Sequence, residues 1–283
     1  MGAAAGAGAG AAGRGRARAR RGGAAGRAGA AGGDPAAGAP RVVVVGGTGF
    51  VGRRVVAELK RAGADVTAAS RAPPSAGVLP AGVDHVPVDL LAGGDLGPLA
   101  GFDTVVSCVG VIGGEDEDSV AGNGEANERA AEAAAAGGAS RFVYVSVDSA
   151  VRDSGVQALG VLGLKGYFEG KARAEAAVTA AFPGDASVIV CPSFVYGGDA
   201  FELTPPRVPD GYGSAVEGLL SAGPLPKIAE KLPGPLKLVL APPVKADNLA
   251  KCVAAGALRR DGVGQRVEGT TAINSAAKRL FGE

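Results

Sequence analysis

The stretch Arg41-Val42-Val43-Val44-Val45-Gly46-Gly47-Thr48-Gly49-Phe50-Val51-Gly52 decides how this chain is read. Four consecutive valines suit a strand buried on both faces. The run stops at a glycine-rich turn. Arg53-Arg54-Val55-Val56-Ala57-Glu58-Leu59-Lys60-Arg61 follows at once and predicts a helix over about 50–62. Gly46, Gly49 and Gly52 would let the backbone turn tightly, approach a pyrophosphate and pack the helix close to the strand. With Thr48, Phe50 and Val51 between them, they form an expected phosphate cradle whose N–H groups face the anion. Three glycines mean little in a chain that has 49 of them. The strand before, the helix after and a second strand near 65–69 give them meaning, and the chain is expected to bind a dinucleotide.

The rhythm set by this unit continues. Short β-branched runs predict strands near 84–88, 103–108, 141–146 and 186–191, with helices near 122–137 and 166–181 between them. Alternation of this kind implies a doubly wound parallel sheet with helices on both faces, a Rossmann arrangement. The C-terminal strand ends would then meet the ligand. After Gly197 the rhythm breaks into a Pro- and Gly-rich stretch before a helical run from Ala246 to Arg259. The expected organisation is a leader over 1–40, a dinucleotide-binding domain over 41–197 and a small C-terminal cap over 198–283. The run Glu115-Asp116-Glu117-Asp118 lacks the oxygen-ligand spacing of a calcium loop and is expected to be a solvated, mobile loop.

Composition limits the function classes. Residues 1–40 hold six arginines against one acid, Asp34, and no Leu, Ile, Val or aromatic residue, so they cannot form a core. An Arg-rich, acid-poor leader fits a mitochondrial or plastid transit peptide, although it has no Ser or Thr; a low-complexity extension is the alternative. Within a total of +1, the leader's +5 leaves the remainder at about −4. A mildly acidic body argues against nucleic acid as a partner. No run of about 18 apolar residues predicts a spanning helix. Cys108, Cys191 and Cys252 lie in apolar contexts and read as buried thiols, so no disulfide frame or metal site is expected. His85 is the only histidine and alternates with valines, which suits a structural side chain.

The chemistry is carried by Tyr167-Phe168-Glu169-Gly170-Lys171. Positions i and i+4 share a helix face, so the phenol and the ammonium can enter the cleft together. A cation beside a phenol lowers its pKa, which would let Tyr167 exchange a proton while Lys171 holds the nicotinamide ribose.

Together, Gly-Gly-Thr-Gly-Phe-Val-Gly at 46–52 and Tyr-x-x-x-Lys at 167–171 resemble the extended or atypical short-chain dehydrogenase/reductases. Val105-Val106-Ser107-Cys108-Val109-Gly110 looks like the family segment beneath the cofactor. Asn123-Gly124-Glu125-Ala126-Asn127 looks like its fourth helix start, and Arg141-Phe142-Val143-Tyr144-Val145-Ser146 like its fifth strand. Cys191-Pro192-Ser193-Phe194-Val195-Tyr196-Gly197 is similar to a segment that more often begins Arg-Pro. Over about 41–260 the chain resembles the organellar branch: plant plastid members, fungal mitochondrial members linked to coenzyme Q synthesis, and the dehydrogenase-like accessory subunit of respiratory complex I.

The resemblance implies Tyr167 as acid/base, Lys171 as its partner, and a serine that hydrogen-bonds the substrate carbonyl. Ser146 and Ser149 both qualify for that role, and Ser146 is preferred. It places Val109 and Gly110 beneath the cofactor and Asp89 near the adenine amino group, though a turn-capping Asp would look the same. It also implies a lipid- or quinone-related small-molecule substrate in a mitochondrion or plastid. A non-catalytic NADP-binding accessory subunit is the alternative, and an RNA-binding member is a further one. No acid follows the second strand; Ser70 and Arg71 stand there instead, which favours NADP over NAD. The lysine-and-apolar runs at 224–232 and 236–240 are expected to form a Pro-broken, core-packing loop; contact with a membrane surface or a prenyl tail is the other reading.

Overall fold

A computed structural model of the chain describes residues 38–155, 163–198, 202–203, 206–207, 210–221 and 241–282. The valine run forms β1 (Arg41–Val45), and α1 (Gly52–Arg61) follows the glycine turn. Next come β2 (Asp65–Ser70), β3 (Asp84–Pro87) and β4 (Thr104–Ser107). Helices α2 (Asp116–Val120) and α3 (Ala126–Ala136) are joined by a π turn, Ala121–Glu125. Then follow β5 (Arg141–Val145), the single-turn α4 (Ser149–Arg152), α5 (Leu164–Ala181) and β6 (Ser187–Cys191). Beyond these lie β7 (Val195–Tyr196), β8 (Glu202–Leu203), β9 (Pro206–Arg207), α6 (Asp210–Ser221) and β10 (Val244–Lys245). The chain continues with α7 (Ala246–Ala257), β11 (Arg266–Glu268) and α8 (Gly269–Ala277).

Seven strands form one parallel sheet in the order β11-β6-β5-β4-β1-β2-β3. The expected doubly wound sheet is therefore present. Because strand side chains alternate, each strand feeds two cores. Val42, Val44, Val106, Val143 and Val188 pack against α1, α7 and α8 on one face. Val43, Val45, Val105, Phe142 and Ile189 pack against α3 and α5 on the other.

Two expectations change. The acidic run after β4 opens α2 instead of a mobile loop: three carboxylates occupy its first turn, where the helix dipole favours them, and Asp116 Oδ1 accepts the Gly166 N–H at 2.9 Å. Residues 246–282 also belong to the main sheet layers and not to a separate cap. β11 extends the sheet beside β6, and α7 buries Leu249, Cys252 and Val253 beneath it. A three-residue edge strand bearing two charges gives little periodic signal, which hid it. What stands apart is the parallel pair β7–β10 with α6, tied by Tyr196 Oη to Glu217 Oε2 at 2.6 Å and Lys245 Nζ to Asp210 Oδ2 at 3.1 Å. Residues 1–37 of the leader and the runs at 224–232 and 236–240 lie outside the described residues. Among the described residues no helix is long and apolar enough to cross a membrane.

The β1–α1 joint is the tightest point of the fold. Gly46 takes φ +74°, and its N–H reaches Ala69 O on β2 at 2.8 Å. A Cβ on Gly52 would stand 2.1 Å from Gly46 O. Gly52→Ala is expected to lower the melting temperature by several degrees, in line with roughly 1–3 kcal/mol of overpacking. An unchanged thermal unfolding curve would show that this joint has slack.

Candidate functional site

The C-terminal ends of β1, β2, β4 and β5 converge on one edge of the sheet, and α5 rises beside them. At the centre of that edge, the start of α1 carries no side-chain cap and no acid in its first turn. Its dipole is therefore uncompensated by the chain's own side chains there. Gly49 is exposed, and among the described residues a Cβ there would meet only Gly46 O, at 3.2 Å. Thr48, Phe50 and Val51 are half-buried around it. Arg54 fixes the turn: its guanidinium donates to Phe50 O at 2.8 Å, lies 4.4 Å from the Phe50 ring, and reaches Asp247 on α7 at 3.1 Å. A bare backbone cradle ahead of an uncapped helix fits a pyrophosphate, and with it a dinucleotide.

At the end of β2, Arg71 is exposed, as a phosphate-pairing side chain must be. Ser70 is less available than the sequence suggests. Its hydroxyl donates to Ala72 O at 2.9 Å and pairs with His85 Nε2 at 2.8 Å. His85 is thus a partnered structural side chain as expected, although one placed at the edge of the site. Burial lowers its pKa. Asp89 Oδ1 accepts the N–H groups of Leu91 and Ala92 at 3.0 and 3.3 Å, which makes it a turn cap.

Beyond β4, a polar ladder that sequence reasoning missed holds Val109 and Gly110 in place. Ser107 Oγ donates to Asn127 Oδ1, and Asn127 Nδ2 donates to Asn123 O at 2.7 Å. Asn123 brackets Val111, accepting its N–H at 3.2 Å and donating to its carbonyl at 2.8 Å. Both asparagines are fully buried, and Asn123 sits inside the π turn. Such turns recur at functional sites because they reset which residues face inward. The Asn-x-x-x-Asn spacing was the available signal.

Lys171 lies under this segment. It is only 4% exposed, and its ammonium donates to Val145 O at 2.9 Å and Val109 O at 3.3 Å, the carbonyls that follow β4 and end β5. A Cβ on Gly110 would come within 3.0 Å of that nitrogen, so Gly110 keeps the approach to Lys171 open. Burial lowers the Lys171 ammonium to about 8, while Cys108, Glu175 and Cys191 act in the opposite direction. Nearby Tyr144 is wholly buried, with a hydroxyl that has no hydrogen-bond partner among the described residues. Its ring centroid lies 4.8 Å from Lys171 Nζ.

Tyr167 stands one turn before Lys171, its ring centroid 5.8 Å from the ammonium. The structure brings the pair together, but the expected lowering of the phenol does not occur. Burial holds Tyr167 above the ordinary tyrosine range, with a smaller contribution from Cys191, while the Lys171 cation is directed at two backbone carbonyls. The phenol is a neutral acid at pH 7. Val147, Val151, Phe168 and Leu164 surround it.

Both candidate serines turn toward carboxylates. Ser146 is buried, and its hydroxyl donates to Glu175 Oε1. Ser149 gives its N–H to Glu268 Oε1 at 2.5 Å, and its hydroxyl bonds the same carboxylate. Arg266 joins the two acids, at 2.8 Å from Glu175 Oε2 and 3.0 Å from Glu268 Oε2. Polarisation of a substrate carbonyl by Ser146 therefore requires its hydroxyl to swing away from Glu175.

Fold and cradle together define an NAD(P)-binding Rossmann protein. The chain belongs to the NAD(P)H-binding family, which it matches over residues 46–207. It is 33% identical over 224 residues to an uncharacterized chloroplastic protein of Arabidopsis thaliana, a match spanning 75% of this chain and 70% of that one. Among solved structures, it resembles the Bordetella bronchiseptica enzyme WbmG in complex with NAD (TM-score 0.54, 15% identity, 88% of this chain and 79% of that one). It also resembles the UDP-glucuronic acid 4-epimerase from Bacillus cereus in complex with NAD (TM-score 0.53, 18% identity, 86% and 84%). At these identities the likeness is one of fold.

A charged lysine buried this deeply opposes folding below its own pKa. Lys171→Met is expected to raise the melting temperature at pH 7, with the gain shrinking as pH rises from about 8 towards the ordinary lysine value of 10.5, because over that range the folded amine has given up its proton while the unfolded one still holds it. A gain that stays constant across that window would assign the effect to packing instead.

Proposed function

We propose that the protein is an NADP-dependent oxidoreductase that reduces a carbonyl group, with Tyr167 as the acid. The observation that carries this reading is the joint placement of Tyr167 and Lys171 on one face of α5, with the ammonium set between the ends of β4 and β5 at the mouth of the glycine cradle. When bound there, the nicotinamide supplies the hydride. Tyr167, neutral at pH 7, gives its phenolic proton to the substrate oxygen as the carbonyl carbon accepts the hydride, and the product is an alcohol. The phenolate then regains a proton from solvent. Lys171 orients the nicotinamide ribose, and its charge stabilises the phenolate while it lasts. The reverse reaction, alcohol oxidation, uses the same groups with Tyr167 as base.

Exposed Arg71 and the absence of an acid after β2 support NADP over NAD. The apolar surroundings of Tyr167, with Phe194 49% exposed beyond β6, support a hydrophobic, lipid- or quinone-like substrate. The chloroplastic relative supports an organellar location, plastid ahead of mitochondrion. A second reading, a nucleotide-binding accessory subunit without turnover, draws support from the two serine hydroxyls engaged with Glu175 and Glu268.

NADPH is expected to bind at least about tenfold tighter than NADH, with the preference removed by Arg71→Ala. In a screen of aromatic and isoprenoid ketones followed by NADPH oxidation, Tyr167→Phe is expected to reduce turnover about 100-fold or more while leaving NADPH affinity nearly unchanged. Turnover that survives in Tyr167→Phe would remove this residue as the acid. Equal affinity for the two nucleotides would remove the NADP assignment.

A further inference from the structure

We infer that Glu175 is a positioning residue of this site, whose carboxylate holds Ser146 just beyond the end of β5 and places a negative charge one helical turn from Lys171 on the same face of α5. This rests on the proposed function, in which Lys171 orients the nicotinamide ribose. Tyr167, Lys171 and Glu175 follow one another at four-residue steps along α5, so all three share a face of the helix. Glu175 is 14% exposed and makes three contacts from there. It accepts the Ser146 hydroxyl, pairs with Arg266 from β11 at 2.8 Å, and lies 3.7 Å from Arg152 of α4.

The groups facing Lys171 come from four elements. Cys108 follows β4, Tyr144 is on β5, Cys191 ends β6, and Tyr167 and Glu175 are on α5. Burial keeps the thiols and phenols neutral, with Cys108 pushed up to about 12 and Cys191, Tyr144 and Tyr167 raised as well. Among the described residues, Glu175 is then the group in this set that carries charge at neutral pH. Burial opposes the Lys171 charge, and Glu175 offsets part of that opposition. Arg266 pairs with its Oε2 and Arg152 approaches its Oε1, and both temper its field, so the C-terminal strand β11 has a lever on the site through Arg266.

The consequence is a dependence on sign that packing alone would not produce. NADPH affinity of the full chain, read from nicotinamide fluorescence between pH 7 and 10, is expected to fall several-fold as pH rises through about 8 and Lys171 loses its proton. Glu175→Gln keeps the side-chain shape and an acceptor for Ser146, and is expected to move that midpoint lower by at least about half a pH unit. Arg266→Gln unmasks the carboxylate and is expected to move the midpoint higher. Lys171→Met is expected to show no such fall. A Glu175→Gln midpoint equal to that of the wild type would overturn the inference, and so would both variants moving in the same direction, as lost packing would cause. Absence of nucleotide binding at every pH would instead sink the proposed function, and this inference with it.

Discussion

The carbonyl of Gly46 leaves no room for a side chain at residue 52, and the arrangement of the site depends on that contact. With Gly52 pressed against Gly46, α1 starts directly above the end of β1, and its uncapped N-terminus points along the sheet edge. The turn is bought with φ +74° at Gly46 and secured by its hydrogen bond to Ala69 on the neighbouring strand. Parallel strands on either side then deliver Arg71, Val109, Ser146 and the flank of α5 to the same edge. The parallel winding makes this convergence inevitable, since every strand's C-terminal end lies on one side.

A second constraint is electrostatic. Lys171 is buried among carbonyls, aromatic rings and neutral thiols, where an ammonium is poorly solvated. The fold tolerates it because two backbone carbonyls accept its hydrogen bonds. The Tyr144 hydroxyl, which has no hydrogen-bond partner among the described residues, is a further costly group in the same place. Unsatisfied or poorly solvated groups concentrated at one end of a sheet that is otherwise filled with valine and alanine mark where stability gives way to chemistry.

Much of this was legible from residue order alone. Val42–Val45, the three spaced glycines and the following amphipathic helix announce the cradle, because each is a local requirement that few residue types meet. Tyr167 and Lys171 were legible for the same reason, since helical periodicity is local. Their acid strengths were not. Burial of the phenol and the direction of the ammonium depend on β4, β5 and β6, which are distant in sequence, and desolvation reversed the effect expected of Lys171 on Tyr167. The serines illustrate the same limit: Ser146 and Ser149 stand where a substrate donor is expected, yet partners 29 and 119 residues away claim them. Arg266-Val267-Glu268 was too short and too charged to announce a strand. Asn123 and Asn127 were visible as a spacing but gained a role only through the π turn that aims them at Val109 and Val111.

The most direct test of the account is calorimetric titration of the protein with NADPH, wild type beside Gly49→Val. Among the described residues a Cβ at 49 would meet only Gly46 O, and the side chain beyond it would occupy the face of the cradle offered to a pyrophosphate. The account predicts one-to-one binding to the wild type, and its loss in Gly49→Val with circular dichroism and melting temperature nearly unchanged. Wild-type protein that fails to bind, or a folded Gly49→Val that binds equally well, would contradict it.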